Sequence, residues 1–113
     1  MDKRIKSILR FLEGNLEERI TLKQASEMVN LSYGYFSALF QKEMGSNFSK
    51  YLQRTRIEKA KTLLRNSFLS IKQISFKVGF RHESTFCEEF KNMVGTSPSE
   101  YRKKAEINNN GSM

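Results

Sequence analysis

Most of what would mark an enzyme, a secreted protein or a membrane protein is missing from this chain. Cysteine occurs once, as Cys87, so no intrachain disulfide can form, and a reducing, cytoplasmic compartment fits best. No apolar run approaches the roughly 18 residues of a membrane-spanning helix. The chain is charged from Asp2 onward, with no apolar segment of signal-peptide type. The lone histidine, His82, has no partner of metal-ligand type nearby, so no metal site is expected. No Ser/His/Asp set, glycine-rich phosphate loop or spaced carboxylate pair occurs. Catalytic residues and cofactors are therefore not expected, and the chain is not read as an enzyme. Proline also occurs once, the glycines sit at punctuation points, and β-branched alternation is absent. These absences leave an all-α chain of about seven helices.

What is present is basic charge and phenylalanine. The net charge is +8 and the isoelectric point about 9.8. Such a balance favours polyanions, nucleic acid before acidic membrane surfaces. Residues 48–66 carry Lys50, Arg54, Arg56, Lys59, Lys61 and Arg65 against Glu58 alone. Lys91, Arg102, Lys103 and Lys104 follow, while Glu83, Glu88 and Glu89 run the other way. Nine phenylalanines within 38% hydrophobic content can build a core but not a core plus a large cleft. At 113 residues the chain is one compact domain, or two half-domains sharing a helix.

The sequence also repeats itself. Lys23-Gln24, Ser26 and Val29 recur 49 positions on as Lys72-Gln73, Ser75 and Val78. Phe36, Phe40, Gly45, Ser49 and Tyr51 recur 50 positions on as Phe86, Phe90, Gly95, Ser99 and Tyr101. The offset changes by one residue in the turn, between Leu31/Phe80 and Phe36/Phe86. Each copy reads as a short amphipathic helix, a tight turn and a second helix, which is helix-turn-helix spacing.

Helix one is expected over roughly residues 2–13, with Ile5, Ile8, Leu9 and Leu12 on one stripe, ended by Gly14-Asn15. Thr21 caps a second helix running to about Val29, and Ser32 caps a third from about Tyr33 to Met44. A long fourth helix connects, from about Phe48 to Arg65. Ser70 caps the fifth, 71–78; the sixth runs from about Glu83 to Val94. Pro98 opens a last short helix to about Lys104. The expected organisation is a first helix-turn-helix subdomain over 1–52, a connecting helix over 48–66, a second subdomain over 67–105 and a disordered polar tail over 106–113.

A major groove admits one α-helix, which must lie exposed yet be held from behind. Phe36, Leu39 and Phe40 would pin helix three, and Phe86 and Phe90 helix six. The outward, base-facing candidates are then Tyr33, Gly34, Ser37, Ala38 and Gln41 on helix three. On helix six they are Glu83, Ser84, Cys87 or Glu88, and Lys91. Glutamate can accept from cytosine N4, and Glu83 is the expected reader, with Glu88 pointing partly away; the alternative is a second head that sits mainly on the backbone while the first does most of the reading. Backbone candidates are Ser32, Tyr35, Lys42, Lys50, Arg54, Arg81, His82, Thr85 and Lys91. Arg56 reads as a structural ion-pair residue, and Cys87 as packing. The connecting helix, at about 1.5 Å per residue, spans roughly 27 Å, so two heads about one turn of DNA apart are expected.

These motifs resemble the DNA-binding domain of the AraC/XylS family of bacterial transcription regulators. The second copy carries the strongest match: Ile71-Lys-Gln-Ile74, Val78-Gly79-Phe80, Ser84-Thr-Phe86, Phe90-Lys91, Gly95 and Ser97-Pro98-Ser99-Glu100-Tyr101-Arg102. Arg56-Ile57-Glu-Lys-Ala60-Lys-Thr-Leu63-Leu64 is similar to the connecting helix, and Leu31-Ser32-Tyr-Gly-Tyr35-Phe36-Ser37 with Phe40 to the first recognition turn. The resemblance covers about residues 5–104. It implies a seven-helix fold, double-stranded promoter DNA as ligand, and control of transcription by contact with RNA polymerase or by occlusion. Most members carry a ligand-binding or phospho-receiver domain as well. The chain reads as either a small stand-alone regulator or an excised output domain, its wording looking more like response-regulator output domains. Two heads allow binding as a monomer, and dimerisation would fall to a domain absent from this chain. The outward face of helix three departs from the family, with Gly34, Ser37 and Ala38 where Trp, Gln or Arg are common, and Glu88 stands where a basic residue is usual. Two other functions compete with promoter reading. A basic interaction module would show no preference for DNA, and a nonspecific nucleic-acid binder would show a steep salt slope without base dependence.

Overall fold

In the computed structural model, the backbone is described for residues 1–111 and side chains for residues 1–106. Seven α-helices and no strand occur among the described residues: α1 (Lys3–Gly14), α2 (Leu22–Met28), α3 (Tyr33–Met44), α4 (Phe48–Asn66), α5 (Ile71–Lys77), α6 (Glu83–Val94) and α7 (Pro98–Gly111). Two compact units divide the chain within α4, Met1–Thr55 and Arg56–Met113.

Both short helices start on the same device. Thr21 Oγ1 accepts from the Gln24 N–H at 3.1 Å, and Gln24 Oε1 accepts from the Thr21 N–H at 2.9 Å. In the second unit Ser70 and Gln73 make the same exchange at 3.0 and 2.8 Å. Each capping box satisfies two backbone donors that a helix start leaves open. Alanine at Thr21 or at Ser70 is expected to cost about 1 kcal/mol. Urea titration checks this as a lower midpoint at unchanged slope.

The turns repeat as closely. Asn30 and Gly79 hold positive φ (56° and 102°), asparagine and glycine being the residues that accept the left-handed region most readily. The next N–H, of Leu31 or Phe80, donates to the Ser26 or Ser75 carbonyl at 3.0 or 2.9 Å. Those serines are buried, and each hydroxyl donates to a lysine carbonyl three residues back at 2.7 Å. The second turn is longer by one residue, which changes its cap. Ser32 Oγ accepts from the Tyr35 N–H at 3.2 Å, whereas His82 makes no side-chain cap bond.

Each core is built by apolar stripes meeting behind one helix. In the first unit Phe40 is fully buried, its ring 5.4 Å from that of Phe48 and 5.5 Å from that of Tyr51, both edge-on. In the second unit Phe90 meets Tyr101 at 5.5 Å, also edge-on. The repeat extends beyond the helix-turn-helix copies. Ile5, Ile8 and Leu12 of α1 match Ile57, Ala60 and Leu64 of α4, 52 positions on, and all six are buried. Phe48 and Tyr51 at the start of α4 match Pro98 and Tyr101 of α7. Thus α4 closes the first core with its opening turns and backs the second with its remainder.

One end departs from the sequence reading. α7 continues as helix to Gly111 rather than stopping near Lys104. Lys103, Lys104, Ala105 and Glu106 are good helix formers, and no proline or glycine follows them before Gly111. Residues 106–111 of the expected tail are therefore helical in backbone, and Ser112 and Met113 lie outside the described residues.

Candidate nucleic-acid interface

α3 and α6 each turn two phenylalanines inward and leave a polar or small stripe outside. Phe36, Phe40, Phe86 and Phe90 are all at 0% exposure. Behind that anchoring, Gly34, Ala38 and Gln41 line the exposed side of α3 at i, i+4, i+7, and Ser84, Glu88 and Lys91 occupy the matching positions of α6. Tyr33 and Tyr35 are 58% and 55% exposed, well out in solvent. The two heads share a shape and differ in chemistry. The first presents small side chains ending in one amide; the second presents a hydroxyl, a carboxylate and an ammonium group. A Cβ built at Gly34 meets nothing within 4 Å, so packing does not require glycine there.

Among the remaining base-facing candidates, Ser37 and Glu83 are half-buried. Glu83 lies in the first turn of α6, where a carboxylate complements the helix dipole. Glu88 is the glutamate on the open stripe, and Cys87 beside it packs on the second core. Burial, then the neighbouring Glu83, pushes the Cys87 thiol up, which keeps it neutral and a poor nucleophile.

The backbone-contact candidates Ser32, Tyr35, Lys42, Lys50, Arg54, Arg81, His82, Thr85 and Lys91 are all exposed. Arg54 is steadied by donating to Ser46 Oγ at 2.6 Å. Among the described residues no three His, Cys, Asp or Glu side chains gather as a metal would require. No helix among them is long and apolar enough to cross a membrane.

Two arginines have places that sequence reasoning missed. Arg102 donates through Nε to the Leu64 carbonyl at 3.1 Å and through Nη2 to that of Ser67 at 3.3 Å, so its charge serves the carbonyl end of α4. Arg4, in the first turn of α1, lies over the Tyr35 ring of α3 at 5.9 Å. Asp2 grips the same guanidinium, Oδ1 accepting from Nε at 3.2 Å and Oδ2 from Nη2 at 3.0 Å. That hydrogen bond, with a second from the Arg4 N–H, holds the Asp2 carboxyl down to about 2, and Arg4 in turn is raised above its ordinary value. A depressed carboxylate keeps its contribution above its ordinary pKa and loses it as pH falls toward the depressed value, so the grip holds at neutral pH.

Comparison with known proteins fits this double arrangement. A family model described as a helix-turn-helix domain matches residues 25–104, spanning both heads. The chain belongs to the AraC-type helix-turn-helix family. It is 35% identical over 109 residues to the regulatory protein PocR of Salmonella typhimurium, covering 96% of this chain and 35% of that protein. Its fold is similar to the C-terminal domain of the two-component response regulator yesN from Fusobacterium nucleatum (34% identity, TM-score 0.83, 89% of this chain and 99% of that one). It also matches the DNA-binding domain of AdpA, solved with a target DNA, at a TM-score of 0.90 over 95% of this chain and 96% of that one; at 21% identity this likeness is one of fold. The chain spans about a third of the length of the first curated relatives it matches. As an AraC-type domain it is a DNA-binding module of transcription regulation.

Proposed function

We propose that this AraC-type domain reads promoter DNA by placing α3 and α6 in successive major-groove segments, as the output part of a larger cytoplasmic regulator. The observation that carries the reading is the matched pair of exposed stripes, each backed by two fully buried phenylalanines. Tyr33, Gly34, Ser37, Ala38 and Gln41 face bases in one segment, and Glu83, Ser84 and Glu88 in the other. Ser32, Tyr35, Lys42, Lys50, Arg54, Arg81, His82, Thr85 and Lys91 hold the phosphates. The chain's one-third share of its relatives' length supports a further domain, where signal reception and dimerisation would reside. RNA polymerase is the partner through which promoter occupancy would act.

Selection from a random duplex library at fixed, near-physiological salt tests the reading. The expected product is an asymmetric motif of two sub-sites about 10 base pairs apart, asymmetric because the heads differ in chemistry. Alanine at Gln41, Ser37, Glu83 or Glu88 should relax preference at one position, by about 1–3 kcal/mol for a bidentate contact. Alanine at Lys91 or Arg54 should weaken all sequences alike and flatten the salt slope by about one unit. Folded protein that enriches no motif would overturn the proposal.

A further inference from the structure

α1 lies outside both helix-turn-helix motifs, yet its N-cap, Asp2, and its first turn, through Arg4, touch α3 near both ends. The Asp2 backbone N–H donates to Glu43 Oε1 at 2.8 Å, in the last turn of α3. Arg4 lies over Tyr35, in the first turn. The Arg4 guanidinium is not free to wander, because Asp2 holds its Nε and Nη2 together. Gripped along that edge, the guanidinium carbon lies 5.9 Å from the centroid of the Tyr35 ring, within cation–π reach. Tyr35 needs such support. It is 55% exposed, so little core packing holds its ring. The register that pairs Ile5 with Ile57 also pairs Arg4 with Arg56, so both copies keep an arginine at this helical position. The second copy has Thr85 in place of Tyr35.

We infer that Arg4, clasped by Asp2, is a positioning residue of the DNA-reading face: it holds the Tyr35 ring in the orientation at which that side chain meets the duplex. The inference rests on the proposed DNA contact of Tyr35. Arg4 acts through the tyrosine and not through a phosphate, since Asp2 already balances its charge. Pre-ordering one interface side chain strengthens binding by roughly 2- to 10-fold.

The test is affinity for the selected duplex across a salt series, for the 113-residue chain and for Arg4→Ala, Tyr35→Ala, the double variant and Arg4→Lys. Thermal melts of each variant, and the Tyr35 ring resonances without DNA, report on folding and ring order. Arg4→Ala is expected to weaken binding roughly 2- to 10-fold, to leave the salt slope unchanged and to add nothing once Tyr35 is alanine. It should also shift the ring resonances in the free protein. Arg4→Lys keeps the charge but not the fork, and should stay defective. A salt slope lowered by about one unit, with lysine restoring it, would make Arg4 a phosphate contact and overturn the inference. So would wild-type affinity in Arg4→Ala, or a loss that persists without Tyr35. If Tyr35→Ala binds normally while the duplex is still selected, the tyrosine contact fails and this inference with it, but promoter reading stands. If the unaltered chain selects no duplex, both fail.

Discussion

Replacing Phe40 by alanine is expected to remove about 3–5 kcal/mol of stability, a large part of what a small domain possesses. The ring is fully buried and meets three others, those of Phe36, Phe48 and Tyr51, at 6.0, 5.4 and 5.5 Å. Those partners come from α3 itself and from the opening turns of α4, so the cavity would open where the recognition helix is held. At about 4–8 °C per kcal/mol for a domain of roughly this size, the melting temperature should fall by more than about 12 °C. Calorimetry would measure that drop, and amide exchange should show protection lost first in α2 and α3. Phe90→Ala should do the same to α5 and α6, since Phe90 holds the matching place against Phe86 and Tyr101. A loss below about 1 kcal/mol at Phe40 would mean that the first core repacks, and that the ring cluster is not what fixes α3.

Salt should change DNA affinity by a comparable free energy. Among the exposed backbone-contact candidates, five are full cations: Lys42, Lys50, Arg54, Arg81 and Lys91. Each phosphate neutralised contributes about 0.9 to the slope of log affinity against log salt, so a slope near about −4.5 is expected. Raising salt from about 50 to 200 mM should then weaken binding roughly 500-fold. Arg102 is left out of the count because its guanidinium is engaged on the end of α4. Titration of a fluorescent duplex at four salt concentrations would give the slope. A value near about −1 would leave most of the five without phosphates, and one steeper than about −7 would bring in further cations of α4.

Much of the fold was legible because local rules and the tertiary structure agree. Apolar stripes place α2 to α6 to within one residue at each end, helped by the serine and threonine caps of α2, α3 and α5 and by the glycines after α3, α5 and α6. The Gln24 and Gln73 halves of the capping boxes carry a sequence signal too, a glutamine three residues after the cap, that motif spacing alone passed over. What stayed hidden depends on contacts between distant residues. Periodicity reports which face of a helix is buried, not what its charged residues reach. Arg102 crosses to carbonyls 35 and 38 residues away, and Arg4 to a ring in α3. The outward stripes of α3 and α6 followed from the phenylalanines opposite them. The burial difference between the two glutamates did not: Glu83, the expected reader, is half-buried in the first turn of α6, and Glu88, expected to point partly away, is exposed.

The double use of α4 has a further consequence for how such a protein can grow. Two complete copies of a four-helix plan would need eight helices; here α4 is the last helix of one and the first of the next, and seven suffice. A third head added by the same rule would require only three more, with α7 taking the part α4 plays now. Reading capacity in this architecture would be extended by concatenation, each new head borrowing its first helix from the one before.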